Sequence, residues 1–237
     1  MWIHLQDPSI HAVKIAIVYI YAPAAGKNDA YAMRFLDSYH ANPPGLDHQS
    51  VIVLNGTPQT SETTCLFSSL PNCTFLEHDN SGFDIGGFQA AARAIPCDMM
   101  VFFGASTYFG RPGWLIKMAT AFNRLGNAQY GAMGNFGDGA VAVWPHIRTT
   151  AFWMNPALMN ACPIKVTRPE QRYPWEHGRN CFTEWVTKQG LKSWVVTFHM
   201  ELLWPHWNLD PEGYARGNQS NLLAGDRMCE PPYWPIR

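Results

Sequence analysis

The run KIAIVYIYA, Lys14 to Ala22, is apolar nearly throughout and rich in β-branched and aromatic residues. A strand that shows no polar face is buried on both faces, and such strands belong to parallel sheets covered by helices. The next segments of the chain support that constraint. From Asn28 to His40 the residues Tyr31, Phe35, Leu36 and Tyr39 recur at three- and four-residue steps, and Asn-Pro-Pro-Gly then stops the helix. Val51 to Leu54 reads as a second strand ended by Asn55-Gly56, and Thr74 to Glu77 as a third. Phe88, Ala91, Ala92 and Ile95 mark a helical face that Pro96 closes, and Asp98 to Phe103 is a fourth strand. Trp114, Leu115, Met118, Phe122 and Leu125 outline another amphipathic helix. Strand and helix therefore alternate through the first half, which predicts a mostly parallel sheet with helices on its faces and a ligand beyond the carboxyl ends of the strands.

The second half has a different texture. Tyr130 to Asn135 and Val141 to Trp144 are short strand candidates, and Thr149 to Met159 is broken at Asn155-Pro156. A helix is expected from Arg179 to Gln189, with Glu184 and Lys188 one turn apart, and a last strand from Trp194 to Phe198. The remainder, aromatic and rich in proline and glycine, reads as an irregular tail. No linker-like stretch divides the 237 residues, so residues 1–237 are expected to form one domain.

Composition excludes several classes of function. Charged residues are 15% of the chain and the net charge is -1, so no basic field exists to hold nucleic acid by counterion release. The longest apolar runs are too short to cross a bilayer, and the first residues lack the charged and apolar regions of a signal peptide. The six cysteines form no Cys-x-x-Cys pair, a usage that fits free thiols in a reducing, cytoplasmic setting.

The stretch NSGFDIGGFQAAAR, Asn80 to Arg93, carries the strongest chemical signal. Its glycine spacing is neither the dinucleotide fingerprint nor a P-loop. Gly82 suits a positive φ in the turn, while Gly86 and Gly87 permit close approach to the helix start. Asp84 is either an N-cap or a carboxylate aimed at a ribose or base.

Taken in order, several pieces resemble glycosyltransferases of the GT-A fold, most closely the family-2-like and rhamnan-synthesis-type proteins that build surface polysaccharides. The pieces are Asn80-Ser81-Gly82-Phe83-Asp84-Ile85-Gly86, the strand Met99 to Phe103, Gly113-Trp114-Leu115, Gly131-Ala132-Met133-Gly134, and His146 to Met154. The resemblance implies a Rossmann-like α/β fold, with a nucleotide-sugar half over about residues 14–110 and an acceptor half and tail over about 111–237. It implies a nucleoside-diphosphate-sugar donor, a saccharide or glycolipid acceptor and transfer with inversion. Tyr21, Ala22, Asn55, Asn80 and Asp84 would flank the nucleoside. Glu176, in Trp175-Glu176-His177-Gly178 opening the late helix, stands where the family carries its catalytic base, and His177 could support it. His146 and Arg148 fall in the acceptor-side segment.

One departure bears on cofactors. The family holds Mn²⁺ or Mg²⁺ on an Asp-x-Asp at the end of the fourth strand, where this chain has Gly104-Ala105-Ser106. Lys27, Arg111 and Arg148 are then candidates to neutralise the diphosphate, with Ser106, Thr107 and Tyr108 as hydrogen-bond donors. A rebuilt metal site would draw on His199, Glu201 and His206. Trp204 and Trp207 are candidates for an acceptor platform, and Asp138 either faces the cleft or favours a turn. Two other classes remain open: a non-catalytic carbohydrate-binding or scaffold domain, and a nucleotidyltransferase, to which Ala22 to Lys27 is a thin match.

Overall fold

The computed structural model describes residues 13–23, 28–135, 144–209 and 221–229. Eight strands form its central sheet: β1 (Ile15–Tyr21), β2 (Gln49–Asn55), β3 (Thr74–His78), β4 (Met99–Phe103), β5 (Ala128–Gly131), β8 (Ala151–Met154), β9 (Lys192–Val196) and β10 (Glu201–Leu203). Two short strands, β6 (Gly134–Asn135) and β7 (His146–Ile147), pair separately. Across the central sheet the order is β10-β9-β5-β8-β4-β1-β2-β3. Pairing is parallel for β1 with β2 and β4, for β2 with β3, and for β5 with β9. β8 lies antiparallel between β4 and β5, and β10 runs antiparallel to β9, so only these two strands are reversed.

β1 shows why the sheet is covered on both faces. Ile15, Ile17, Tyr19 and Tyr21 join one core with Phe35, Tyr39, Trp114 and Leu115, whereas Ala16, Val18 and Ile20 join a second with Phe88, Trp175 and Phe182. The two-residue period of the strand thus feeds two separate cores. The first is covered by α1 (Asn28–Ala41) and α4 (Trp114–Leu125), the second by α3 (Phe83–Ala94), α5 (Pro156–Ala161), α6 (Arg172–His177) and α7 (Phe182–Lys188). The expected mixed α/β architecture, mostly parallel and flanked by helices, is the one observed.

Four details differ from expectation. A helix, α2 (Ser61–Leu66), fills the β2–β3 connection; Thr60 caps it, its hydroxyl accepting from the Thr63 N–H at 3.2 Å. The helix expected over 179–189 is α7, and a separate short helix, α6, precedes it, parted from it at Gly178 to Cys181, where Asn180 adopts a φ of 71°. Glu176 therefore lies in the last turn of α6, one residue before its end, rather than opening a helix, and Glu184 and Lys188 pair at 3.0 Å within α7. The tail is not wholly irregular, because it supplies β10 and the segment 221–229 that returns to the sheet. The strand candidate at Val141 to Trp144 lies largely outside the described residues, and Trp144 itself is not in a strand.

Candidate functional site

A cavity of about 500 Å³ opens where the parallel strands end. Ile20 and Ala22 at the end of β1, Asn55 ending β2, Asn80 after β3 and Gly104 to Ser106 after β4 form its floor. Because β8 runs the other way, its leading residues Thr149 and Thr150 reach the same end. A groove of about 750 Å³ between α4, α5 and α7 is larger, but its lining holds no charged side chain and offers nothing for group transfer.

One wall is the β3–α3 turn. Asn55 Nδ2 donates to Asn80 Oδ1 at 2.7 Å, and His78 Nδ1 lies 2.7 Å from Asn55 Oδ1. Asn80 and Phe83 have φ of 63° and 52°, a left-handed conformation uncommon for asparagine and strained for phenylalanine. Gly82 itself has a φ of −108°, so the expected positive φ falls on its neighbours. Its lack of a Cβ matters for another reason: a Cβ there would sit 2.2 Å from the Val166 carbonyl oxygen. At Gly87 a Cβ would meet Ile20 and Val53 at 3.0 Å, so what approaches the helix closely is the protein's own sheet. The N-cap is Gly82 and makes no side-chain cap, which leaves Asp84, in the first turn, facing the cavity.

The opposite wall comes from the second half of the chain. Arg148, Arg172 and Arg227 line it together with Thr149, Thr150, Glu176 and Asp226. Glu176 Oε1 accepts from the Thr149 N–H at 3.0 Å and the Thr149 hydroxyl at 2.7 Å. Asp226 Oδ2 accepts from the Thr150 hydroxyl at 2.6 Å and from Arg148 at 3.2 Å, and its Oδ1 accepts from the Met228 N–H at 2.8 Å. The floor is braced from behind, since Tyr19 and Arg34 donate to the carbonyls of Ala105 and Ser106 at 2.8 and 2.7 Å.

The carboxylates differ in character. Burial pushes the Asp84 carboxyl up, with the Glu176 charge adding to it and Arg172 and Arg227 offsetting part of it. Burial also opposes the ionised form of Glu176, but Arg148, His177 and the two Thr149 bonds outweigh it and hold that carboxyl below the usual range.

Of the residues singled out in the sequence, Ala22, Asn55, Asn80, Asp84, Ser106, Arg148 and Glu176 meet in this cavity. Others do not. Tyr21 has the wrong strand parity: its ring packs on Phe67 in the opposite core and its hydroxyl donates to Asp29 at 2.6 Å. Arg111 is exposed outside the cavity with its guanidinium over the Phe198 ring at 4.4 Å. The Thr107 hydroxyl is buried and spent on the Thr150 carbonyl at 3.0 Å, and Tyr108 lies outside the cavity lining with Arg34 over its ring at 4.6 Å. Trp207 is fully buried, its indole N–H donating to the Ser193 carbonyl at 3.3 Å, so it offers no open face; Trp204 packs against it. His146 is fully buried beside His177. Glu201 is engaged by Lys117 and Arg124, and it forms no ligand cluster with His199 or His206 among the described residues. Lys27 and Asp138 lie outside the described residues. Unassigned in the sequence were Phe83, Arg172, Asp226 and Arg227. Arg172 stands one helical turn before Glu176, a spacing that could have flagged it; nothing local marks Arg227.

The residues do not fit a hard cation on the floor of the cavity. Gly104-Ala105-Ser106 supplies no carboxylate, and Asp226 is already bonded to Arg148, Thr150 and Met228. The wall offers guanidinium groups instead.

No protein-family model and no curated protein matches the chain. Solved structures do. Mouse xyloside xylosyltransferase 1 is similar at a TM-score of 0.51 and 11% identity, over 78% of this chain and 85% of that one. The 4-diphosphocytidyl-2C-methyl-D-erythritol synthase of Anaerococcus prevotii gives 0.51 and 11%, over 71% and 84%. TarS of S. aureus gives 0.46 and 14% over 64% of this chain, which spans only 30% of the TarS structure. At such identities the likeness is one of fold: the chain has a mixed α/β fold of GT-A type.

Proposed function

We propose that the protein is a glycosyltransferase that moves a sugar from a nucleoside-diphosphate-sugar donor to a saccharide or glycolipid acceptor. One observation carries this reading: at the strand ends, a wall of Asn55, Asn80 and Asp84 faces a wall of three arginines and Glu176 across a cavity of about 500 Å³. The first wall suits a nucleoside, because amide and carboxyl groups pair with ribose hydroxyls and base edges. The second suits a diphosphate, since Arg148, Arg172 and Arg227 supply fixed positive charge as the leaving group gains negative charge.

Transfer with inversion then proceeds as one displacement. The acceptor oxygen forms its bond to the anomeric carbon, the bond from that carbon to the diphosphate oxygen breaks, and Glu176 accepts the hydroxyl proton. Thr149 fixes the carboxylate with two hydrogen bonds, so the base is oriented before the acceptor arrives.

The test is thermal stability against a panel of nucleotides and nucleotide sugars with Mg²⁺, Mn²⁺ or chelator. A selective rise that survives chelator is expected. A rise that needs metal would overturn the arginine clamp, and no rise with any nucleotide would overturn the donor reading in favour of a carbohydrate-binding domain. With a donor in hand, Glu176→Gln should lower transfer by about 10²–10⁴-fold while donor affinity holds. The similarity to the diphosphocytidyl-methylerythritol synthase favours a second reading, nucleotidyl transfer. Release of pyrophosphate from a nucleoside triphosphate and a sugar phosphate would identify it.

A further inference from the structure

Behind Glu176 lie two imidazoles that the transfer reading leaves unused. His146 is buried in β7, which is held against α7 by the Ile147 N–H donating to the Thr183 hydroxyl at 3.0 Å. Its Nδ1 is 2.7 Å from the Trp144 carbonyl oxygen, which can only accept. The proton of His146 therefore sits on Nδ1, and Nε2 presents a bare lone pair. That lone pair points to His177, whose Nδ1 is 3.2 Å away.

His177 is the last residue of α6 and Glu176 precedes it. Glu176 spends Oε1 on Thr149, which leaves Oε2, 3.7 Å from His177 Nε2, without a hydrogen-bond donor of its own among the described residues. One ligand atom from each of His146, Glu176 and His177 falls within 4.8 Å of the other two, and no other such group of histidine, cysteine or acidic side chains occurs among the described residues.

We propose that His146 Nε2, His177 Nδ1 and Glu176 Oε2 form a binding site for a divalent transition metal of the zinc type. Two nitrogens bonded at about 2.0–2.1 Å in tetrahedral geometry stand about 3.4 Å apart, close to the separation already present. The carboxylate closes the remaining distance by turning about its terminal torsion, at the cost of loosening the two Thr149 bonds to Oε1. The carbonyl of Trp144 behind His146 is the outer partner that fixes a ligating imidazole's tautomer and direction. Two imidazoles and one carboxylate leave a fourth position open, and their softness selects zinc, cobalt or nickel over magnesium. Entry is from the side of His177, which is partly exposed beside the exposed ring of Tyr173, 3.9 Å away. Arg148 and Arg172 bring positive charge near this site and oppose a cation, so the ligand set has to outweigh them. On the transfer reading, a metal on Oε2 withdraws Glu176 from proton transfer, so a filled site and turnover exclude each other.

The test needs no nucleotide and is independent of the transfer reading. The full chain, stripped with chelator, is titrated with Co²⁺ and then with Zn²⁺. One equivalent of Co²⁺ with the visible absorption of a four- or five-coordinate ion, displaced by one equivalent of Zn²⁺, is expected. His177→Ala, at a partly exposed position that should leave the fold intact by circular dichroism, and His146→Ala should each weaken binding at least tenfold. His199→Ala and His206→Ala should leave it unchanged. Absence of stoichiometric Co²⁺ binding, or binding that His177→Ala does not weaken, overturns the site.

Discussion

Asp84 and Glu176 show how one cavity sets two carboxylates to different states. Burial dominates at Asp84, whereas Arg148, His177 and Thr149 override it at Glu176. A raised carboxyl pKa means that the folded chain holds the proton more tightly than the unfolded one. Asp84 thus contributes stability at low pH that is lost as pH rises through its folded pKa. Asp84→Asn should remove that loss. At neutral pH the variant is expected to be more stable by about 1 kcal/mol, or about 2–4 °C in melting temperature, and to bind the donor nucleotide at least tenfold more weakly. Melting curves of both proteins from pH 4 to 8 should diverge as pH rises; parallel curves would show that Asp84 carries no such burden. The sequence showed Asp84 as a candidate because it stands between a strand and a helix among glycines. It could not show the state of the carboxyl, which is set first by burial and only partly offset by Arg172 and Arg227 from distant segments. Tyr21 is kept from the cavity for a simpler reason: it shares the parity of Ile15, Ile17 and Tyr19, and that parity faces α1.

At the scale of elements, the β3–α3 turn is held by contacts that only glycine permits. Gly82→Ala would drive a Cβ to 2.2 Å from a backbone carbonyl, which cannot turn away as a side-chain tip can. The 162–168 segment must then shift, at an expected cost of about 1–3 kcal/mol in urea unfolding. Gly110→Ala is the control, since nothing lies within 4 Å of its added Cβ, and it should change stability by less than about 0.5 kcal/mol. Equal effects at the two positions would refute the packing role of Gly82. The strands β1 to β4 were legible as short apolar runs bounded by turn residues, and the helices α1, α3 and α4 because each carries an apolar period long enough to repeat. α2 has six residues and shows no repeat, so its only sequence signal was the Thr60 and Thr63 cap. β10 was hidden among prolines and glycines, and it pairs only because β9 offers it an edge. α6 has six residues and, like α2, no apolar repeat, whereas α7 beyond Gly178 and Asn180 carries the pattern that marks a helix.

For the whole molecule, the site exists because the reversed β8 and the returning 221–229 segment bring late residues over the ends of early strands. No periodicity reports such pairing, which is why Asp226 and Arg227 escaped notice while Glu176 and Arg148 did not. Trp207 is placed on the same account: it packs beside Gly134, where a Cβ would meet its ring at 3.0 Å, and only the three-dimensional path reveals that. The Arg148–Asp226 pair ties the two late segments across 78 residues, with side chains 18% and 3% exposed. Removing one partner of a buried pair leaves a charge in low dielectric without compensation, so Asp226→Ala should destabilise by about 3–5 kcal/mol. The hydroxyl of Thr150 and the Met228 N–H lose their acceptor in the same step. Replacing both charges with apolar groups, Arg148→Met with Asp226→Leu, should restore part of that stability, because neither member of the pair is then stranded although Glu176 loses the Arg148 charge that favours its ionised form. Nucleotide binding should not return with it, since the cavity has lost one of its three guanidinium groups. Urea unfolding of the two variants, set beside their nucleotide-induced shifts in melting temperature, separates the structural and binding roles of the pair. If Asp226→Ala unfolds within about 0.5 kcal/mol of the parent, the pair is not what fastens the late segment to the sheet, and the arginine wall must be positioned by other contacts.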